Sequence, residues 1–230
     1  MSMRWVVTID GPAGAGKSTV ARRLATRLGW RLLDTGAMYR AVTLAALRAG
    51  VDLKDDRVLG DLTSRSSVRL PDDRVLLNGE DVTGLIRGVE VTQATKFIAN
   101  SPSVRAQLVA WQRRFADEND LVTEGRDQGT IVFPNALCKF YLTASLEERA
   151  RRRHTEFSAK GQTGPLELVH RDLQDRDEGD ASRSIAPMKP APDAILIDTT
   201  DLDLDQVLLR LESEIQARLN DPSLINSSIA

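Results

Sequence analysis

Short apolar runs separated by longer stretches of helical period organise this chain. Trp5-Val6-Val7-Thr8-Ile9, Arg31-Leu32-Leu33, Leu121-Val122-Thr123, Lys139-Phe140-Tyr141-Leu142 and Ala194-Ile195-Leu196-Ile197 suit buried strands. Between them, Val20, Ala21, Leu24, Ala25 and Leu28 fall on one helical face that Gly29 can end. Ser101-Pro102 starts a second helix, since serine caps and proline suits the first turn, and Val104, Leu108, Trp111 and Phe115 line one side of it. Ser145-Leu146-Glu147-Glu148 predicts a capping box. A last helix carries Leu204, Leu208, Leu211, Ile215 and Leu219 on one stripe, and the polar tail from Asn220 to Ala230 is expected to fray. Strands alternating with helices predict an α/β fold with a parallel sheet flanked by helices.

Two stretches break that alternation. Val68-Arg69-Leu70, Asp72-Asp73 and Val75-Leu76-Leu77, before Asn78-Gly79, read as a small hairpin inserted into a helical region, and they predict a subdomain. The second stretch runs from Arg149 through Arg151-Arg152-Arg153-His154, past Gly161 and Gly164-Pro165, to Arg171, Arg176, Asp180 and Arg183. Its mixture of arginine, glycine and acid suits a flexible lid over phosphates, although any single arginine in a charge run is usually a solvated helix face.

Composition narrows the class. The 230 residues suffice for one sizeable core, and a formal charge of −2 provides no broad attraction for nucleic acid or an anionic membrane. Cys138 is the one cysteine, which excludes an intrachain disulfide or a multi-cysteine zinc site and leaves core packing as its role. Met1-Ser2-Met3-Arg4 leads into the first strand without a cleavable apolar segment, so the expected compartment is the cytoplasm.

The chemistry begins at Gly11-Pro12-Ala13-Gly14-Ala15-Gly16-Lys17-Ser18-Thr19, where glycine, four residues, glycine, lysine and serine follow a strand and open a helix. Average residue frequencies put a chance match to that pattern at about one per cent in a chain of this length. Glycines let successive N–H groups turn toward phosphate oxygens, and the new helix points its positive end at the same anion. Lys17 then reaches the outer phosphates, while the Ser18 hydroxyl is the expected ligand of a magnesium ion bridging them.

Taken together, Asp10 to Ser18, Leu33-Asp34-Thr35-Gly36-Ala37-Met38-Tyr39-Arg40, Gly79-Glu80-Asp81-Val82-Thr83, Gly125-Arg126-Asp127-Gln128-Gly129-Thr130-Ile131-Val132-Phe133-Pro134 and Ser182-Arg183-Ser184-Ile185-Ala186-Pro187 resemble the bacterial cytidylate kinases, over residues 5 to about 215. The resemblance implies a three-layer P-loop kinase fold with an inserted monophosphate-binding subdomain at 36–117, a mobile lid at 151–185 and a core of 1–35, 118–150 and 186–230. It implies a monomer that moves the γ-phosphoryl group of ATP to CMP or dCMP, with Mg2+ required. Gly11 to Thr19 would hold ATP, and Thr35, Tyr39, Arg40, Arg105, Arg126, Asp127, Asp180 and Arg183 would surround CMP. Lys17, Arg126, Arg153 and Arg176 would meet the transferring group. Asp127, which only accepts hydrogen bonds when ionised, suits the exocyclic amino group of cytosine. Lys96 stands where the family usually has a serine touching the base, so Thr95 or Lys96 would have to replace it.

Plainer readings stand beside these. Asp127 could cap a turn or pair with Arg126, Tyr39 could be core, Thr35 could cap a helix beginning near Ala37, and Asp34 could orient a metal-bound water or form a salt pair. A kinase acting on UMP or on a metabolite hydroxyl is the nearest alternative, a hydroxyl acceptor needing a base such as Asp34. A GTP-dependent switch would need the guanine-reading Asn-Lys-any-Asp motif, and no asparagine here precedes a lysine.

Overall fold

In a computed structural model, residues 4–71, 73–159, 161 and 164–221 are described. Asp72 of the expected hairpin, Lys160, Gln162 and Thr163 of the expected lid, and the tail beyond Asp221 lie outside them. The chain divides into two compact units, residues 1–32 with 118–230, and residues 33–117.

The first unit is built on parallel strands. β1 (Val6–Asp10) lies between β6 (Leu121–Glu124) and β7 (Cys138–Thr143), and β8 (Ile195–Asp198) continues the sheet beyond β7. β2 (Arg31–Asp34) borders β6, giving the order β2-β6-β1-β7-β8. Helices α1 (Lys17–Leu28) and α8 (Leu204–Leu219) cover the sheet, with Val20, Ala21, Leu24, Leu208, Leu211 and Ile215 packed on Val7, Ile9, Val122, Phe140 and Leu142. Cys138 is buried in that core, where burial pushes its thiol up to about 11. Because side chains alternate along a strand, Thr8 and Asp10 project to the side opposite Val7 and Ile9.

Helix ends qualify the expectations. At the start of α6 (Leu146–Ala159) the Glu148 N–H donates to Ser145 Oγ at 3.2 Å, which is half of a capping box. The other half is missing because Arg151 and Arg152 take the Glu148 carboxylate, while the Ser145 N–H donates to Thr200 Oγ1. A complete box forms at α8 instead, between Asp203 and Gln206. The glycine-punctuated stretch expected as a flexible lid is largely helical: α6 and α7 (Leu166–Ala181) make a helical hairpin with Val169, Leu173 and Ala150 in a shared apolar cluster. Arginines and acids at helical spacing favour the helix, and the glycines fall in its connecting turn.

In the second unit, α2 (Thr35–Ala49), α3 (Asp56–Ser64), α4 (Val89–Asn100) and most of α5 (Pro102–Glu118) accompany a small antiparallel sheet. The expected hairpin is present as β3 (Val68–Arg69) and β4 (Leu76–Leu77), and it gains a third strand, β5 (Glu80–Asp81). Asn78-Gly79, with both residues at positive φ, turns β4 into β5 rather than ending the sheet. Val75, Leu77, Val82 and Ile86 pack with Ala37 and Ala41 of α2.

Candidate active site

Strand β1 delivers the chain into the glycine loop, and the loop delivers it into α1 at Lys17. Gly11 has φ +141°, and a Cβ built there would stand 1.9 Å from the Leu142 carbonyl oxygen, so only glycine lets the loop leave β1 against β7. The Lys17 ammonium is buried and donates to the Pro12 carbonyl at 2.7 Å. Burial, followed by the positive charges of Arg126 and Arg176, lowers its pKa to about 7 against the opposing pull of Glu124 and Asp10. Beside it the Ser18 hydroxyl donates to Glu124 Oε1 at 2.8 Å.

Glu124 ends β6, level with Ile9 of the neighbouring strand, and the chain then turns through Gly125, Arg126 and Asp127 into a π-helical turn at Gln128–Val132. Asp10 holds that turn, accepting the Gln128 N–H at 2.9 Å on one oxygen and the Gly129 N–H at 2.8 Å on the other. Burial nonetheless raises the Asp10 carboxyl to about 6. Arg126 donates through Nε to Asp180 at 2.8 Å and through Nη1 to the Gly125 carbonyl. Asp180, on α7, also takes the guanidinium of Arg183. Burial would raise the Asp180 carboxyl, but Arg126, Arg183 and Arg176 together hold it below the usual range. Burial likewise opposes the charge on Arg126, and the acids around it, Asp180 first, outweigh that effect.

The first unit therefore gathers Lys17, Ser18, Arg126, Asp127, Asp180 and Arg183, with Arg176 close enough for its charge to act on Lys17 and Asp180. Arg153 does not join them. It pairs with Glu156 on its own helix at 2.9 Å and stacks 4.5 Å from the Phe157 ring centroid.

Thr35, Tyr39, Arg40 and Arg105 belong to the second unit. Asp34, not Thr35, caps α2, its carboxylate accepting the Ala37 N–H at 2.9 Å, so Thr35 is already the first helical residue and is buried. That cap gives Asp34 a structural role at the start of the helix. Tyr39 follows one turn later, with the buried Arg105 guanidinium 5.8 Å from its ring centroid. Arg40 donates to Thr92 Oγ1 at 2.7 Å and to the Ile86 carbonyl at 3.2 Å. Near the departure at Lys96, the Thr95 hydroxyl donates to the Val91 carbonyl and accepts from Thr43, whereas the Lys96 ammonium lies 5.3 Å from the Phe97 ring centroid and is exposed.

Four polar residues of the centre have no role of their own in the sequence pattern: Asp10, Glu124, Arg149 and Asp177. The first two end adjacent parallel strands, a position where open α/β sheets build sites and which the strand pattern alone would have revealed. Arg149 was submerged in a charge run and Asp177 in an acidic one, and neither carries a local signal.

A family model described as cytidylate kinase matches residues 7–217. A cytidylate kinase of Geobacillus thermodenitrificans is 47% identical over 223 residues, covering 95% of this chain and 100% of the relative. One of Pasteurella multocida is 45% identical over 224 residues, covering 96% and 99%. Among solved structures, a gluconokinase from Sinorhizobium meliloti superposes with a TM-score of 0.51 at 16% identity over 98% of this chain and 99% of that one, a likeness of fold alone. A glycine loop with a buried lysine, the Arg126–Asp180–Arg183 network beside it and a full-length match in sequence converge on one conclusion: the chain belongs to the cytidylate kinase family.

Proposed function

We propose that this protein transfers the γ-phosphoryl group of ATP to CMP or dCMP, yielding ADP and the nucleoside diphosphate. The observation that carries the reading is the buried Lys17 at the mouth of a glycine loop, beside an Arg126–Asp180–Arg183 network, in a chain of this family. Residues Gly11 to Thr19 would hold the donor phosphates through backbone N–H groups and the Lys17 ammonium. A lysine held near neutrality by burial gains its charge fully when a polyphosphate arrives, so binding and protonation reinforce each other.

In the second unit, Arg40 and Arg105 would neutralise the acceptor phosphate, with Thr35 and Tyr39 beside them. In the first, Arg126 and Arg183 would bind that phosphate and the sugar, Asp180 would hold both arginines in place, and Asp127 would read the cytosine amino group. We assign residues 36–117 to acceptor binding and 151–185 to a lid. Arg176, which already acts on Lys17, is the better placed of the two lid arginines to meet the transferring group. The acceptor phosphate has a second pKa of about 6, so it is ionised near neutral pH and needs alignment rather than a general base.

The Ser18 hydroxyl and the Glu124 carboxylate stand together as oxygen donors, the ligand type a hard divalent cation takes. They would hold Mg2+, which when bound draws charge from the donor phosphates. A coupled assay with ATP, Mg2+ and each nucleoside monophosphate tests the whole reading. CMP and dCMP should be the best acceptors and UMP weaker; equal turnover of UMP or AMP would sink it.

A further inference from the structure

Arg149 and Asp177 have no part in the mechanism above, yet both are bonded to the glycine loop. Asp177 Oδ1 accepts the Ala13 N–H at 3.1 Å, and Arg149 Nη1 donates to the Ala13 carbonyl at 3.0 Å. The two side chains also pair with each other, and Arg149 Nε donates to the Ala144 carbonyl at 3.1 Å. One arginine thus meets three acceptors from two separated nitrogens, Nε toward Ala144 and Nη1 toward Ala13 and Asp177, a spread that the single nitrogen of an ammonium does not have. Arg149 and Asp177 side chains are only 9% and 16% exposed, so these bonds form largely away from water.

The backbone reinforces the contact. Gly14 has φ +79°, and a Cβ there would fall 3.1 Å from Arg149 Cβ and 3.2 Å from its carbonyl oxygen, so the loop lies directly on α6. Ala13 itself joins Ala150, Val169 and Leu173 in an apolar cluster that seals the same junction. Two successive peptides of a glycine-rich loop, 12–13 and 13–14, are thereby each held by a charged partner. Glycines leave such peptides free to flip, and a flipped peptide would present a carbonyl oxygen to the donor phosphates.

We propose that the Arg149–Asp177 pair is a clamp that sets the orientation of the phosphate loop for the donor nucleotide, both being positioning residues rather than catalytic ones. This inference rests on the kinase reading of the loop. It sets apart two kinds of effect, because a clamp on the loop acts on ATP, whereas a strut that merely holds the α6–α7 hairpin acts on overall stability and on both substrates.

The test compares wild type with Asp177→Asn and Arg149→Lys, measuring by calorimetry the affinity for a non-hydrolysable ATP analogue and for CMP, with thermal unfolding alongside. Loss of a buried charge-assisted bond should weaken the ATP analogue by about tenfold or more and raise KM for ATP in parallel. CMP affinity of the free enzyme should stay within about twofold, because the clamp's hydrogen bonds run to Ala13 of the loop and to Ala144, and Asp177 reaches Arg126 through its charge alone. If a single variant fails to fold, Arg149→Met/Asp177→Leu removes both charges together and leaves no unpaired ion; it should fold and show the same selective loss. Unchanged ATP-analogue affinity in any folded variant, or an equal loss for CMP, overturns the clamp. Failure of the wild type to phosphorylate CMP would instead overturn the kinase reading.

Discussion

Two arginines one turn apart on helix α6 serve different ends. Arg149, in its first turn, is buried, bonded to two backbone carbonyls and paired with Asp177 of α7. Arg153, one turn later, has 34% of its side chain exposed, pairs with Glu156 of its own helix and lies over Phe157. In a run of Arg149, Arg151, Arg152 and Arg153 the sequence offers no means to tell them apart. Depth and partners separate them: a guanidinium in water gains little from one more carboxylate, whereas a desolvated one must have its donors met and then fixes whatever meets them.

If that comparison holds, effects should grade with how far each group is drawn into the polar centre. The largest should come from Lys17→Ala, with turnover falling by about a hundredfold or more while the fold survives. Steady-state kinetics with circular dichroism checks this, and near-normal turnover in a folded variant would remove the loop from the donor site.

Next comes Asp180→Ala, which leaves Arg126 and Arg183 facing each other without the carboxylate they share. Loss of that positioning should lower kcat/KM for CMP by about tenfold or more, with ATP-analogue affinity little changed. A selective loss on the ATP side would reverse the assignment.

A smaller effect is a pH dependence. The free enzyme's Lys17, lowered to about 7, carries its charge below that pH and loses it above. The charged form binds the polyphosphate, so kcat/KM for ATP should fall as pH rises through about 7, by up to tenfold per unit. Lys17→Arg, charged throughout, should flatten that descending limb even if its overall rate is lower, and an unaltered limb in that variant would assign the titration to another group.

At the exposed end of the comparison, Arg153→Ala should change turnover by less than about twofold and stability by about 0.5 kcal/mol or less. A tenfold loss of kcat there would show that α6 brings its exposed arginine to the reaction, and the contrast between Arg149 and Arg153 would collapse.

Much of this molecule was legible before its structure. The strands of the parallel sheet announce themselves as short apolar runs, and the helices that open at Lys17 and Pro102 or follow Asp203 through a period of about three and a half. The glycine loop was legible too, since its chemistry requires residues that are neighbours in the chain. The capping box was misplaced because Glu148 had a choice between a backbone N–H and two arginines, and the arginines took it. The second hairpin at Asn78-Gly79 escaped notice because Glu80-Asp81, its outgoing strand, is short and fully polar, so it lacks the apolar alternation that marks a strand.

What the sequence determined by itself was therefore local: the strands of the parallel sheet and the helices with a clear apolar stripe, where a phosphate loop must lie, and the family whose motifs the chain carries in order. Only the tertiary structure decided which charges meet. Asp10 holds a turn 118 residues away, Arg126 finds Asp180 across 54, and Arg149 finds Ala13 across 136. Backbone propensity acts over a few bonds and can be read along the chain, whereas the pairing of buried charges is settled by which desolvated groups the packed sheet and helices bring within hydrogen-bond reach.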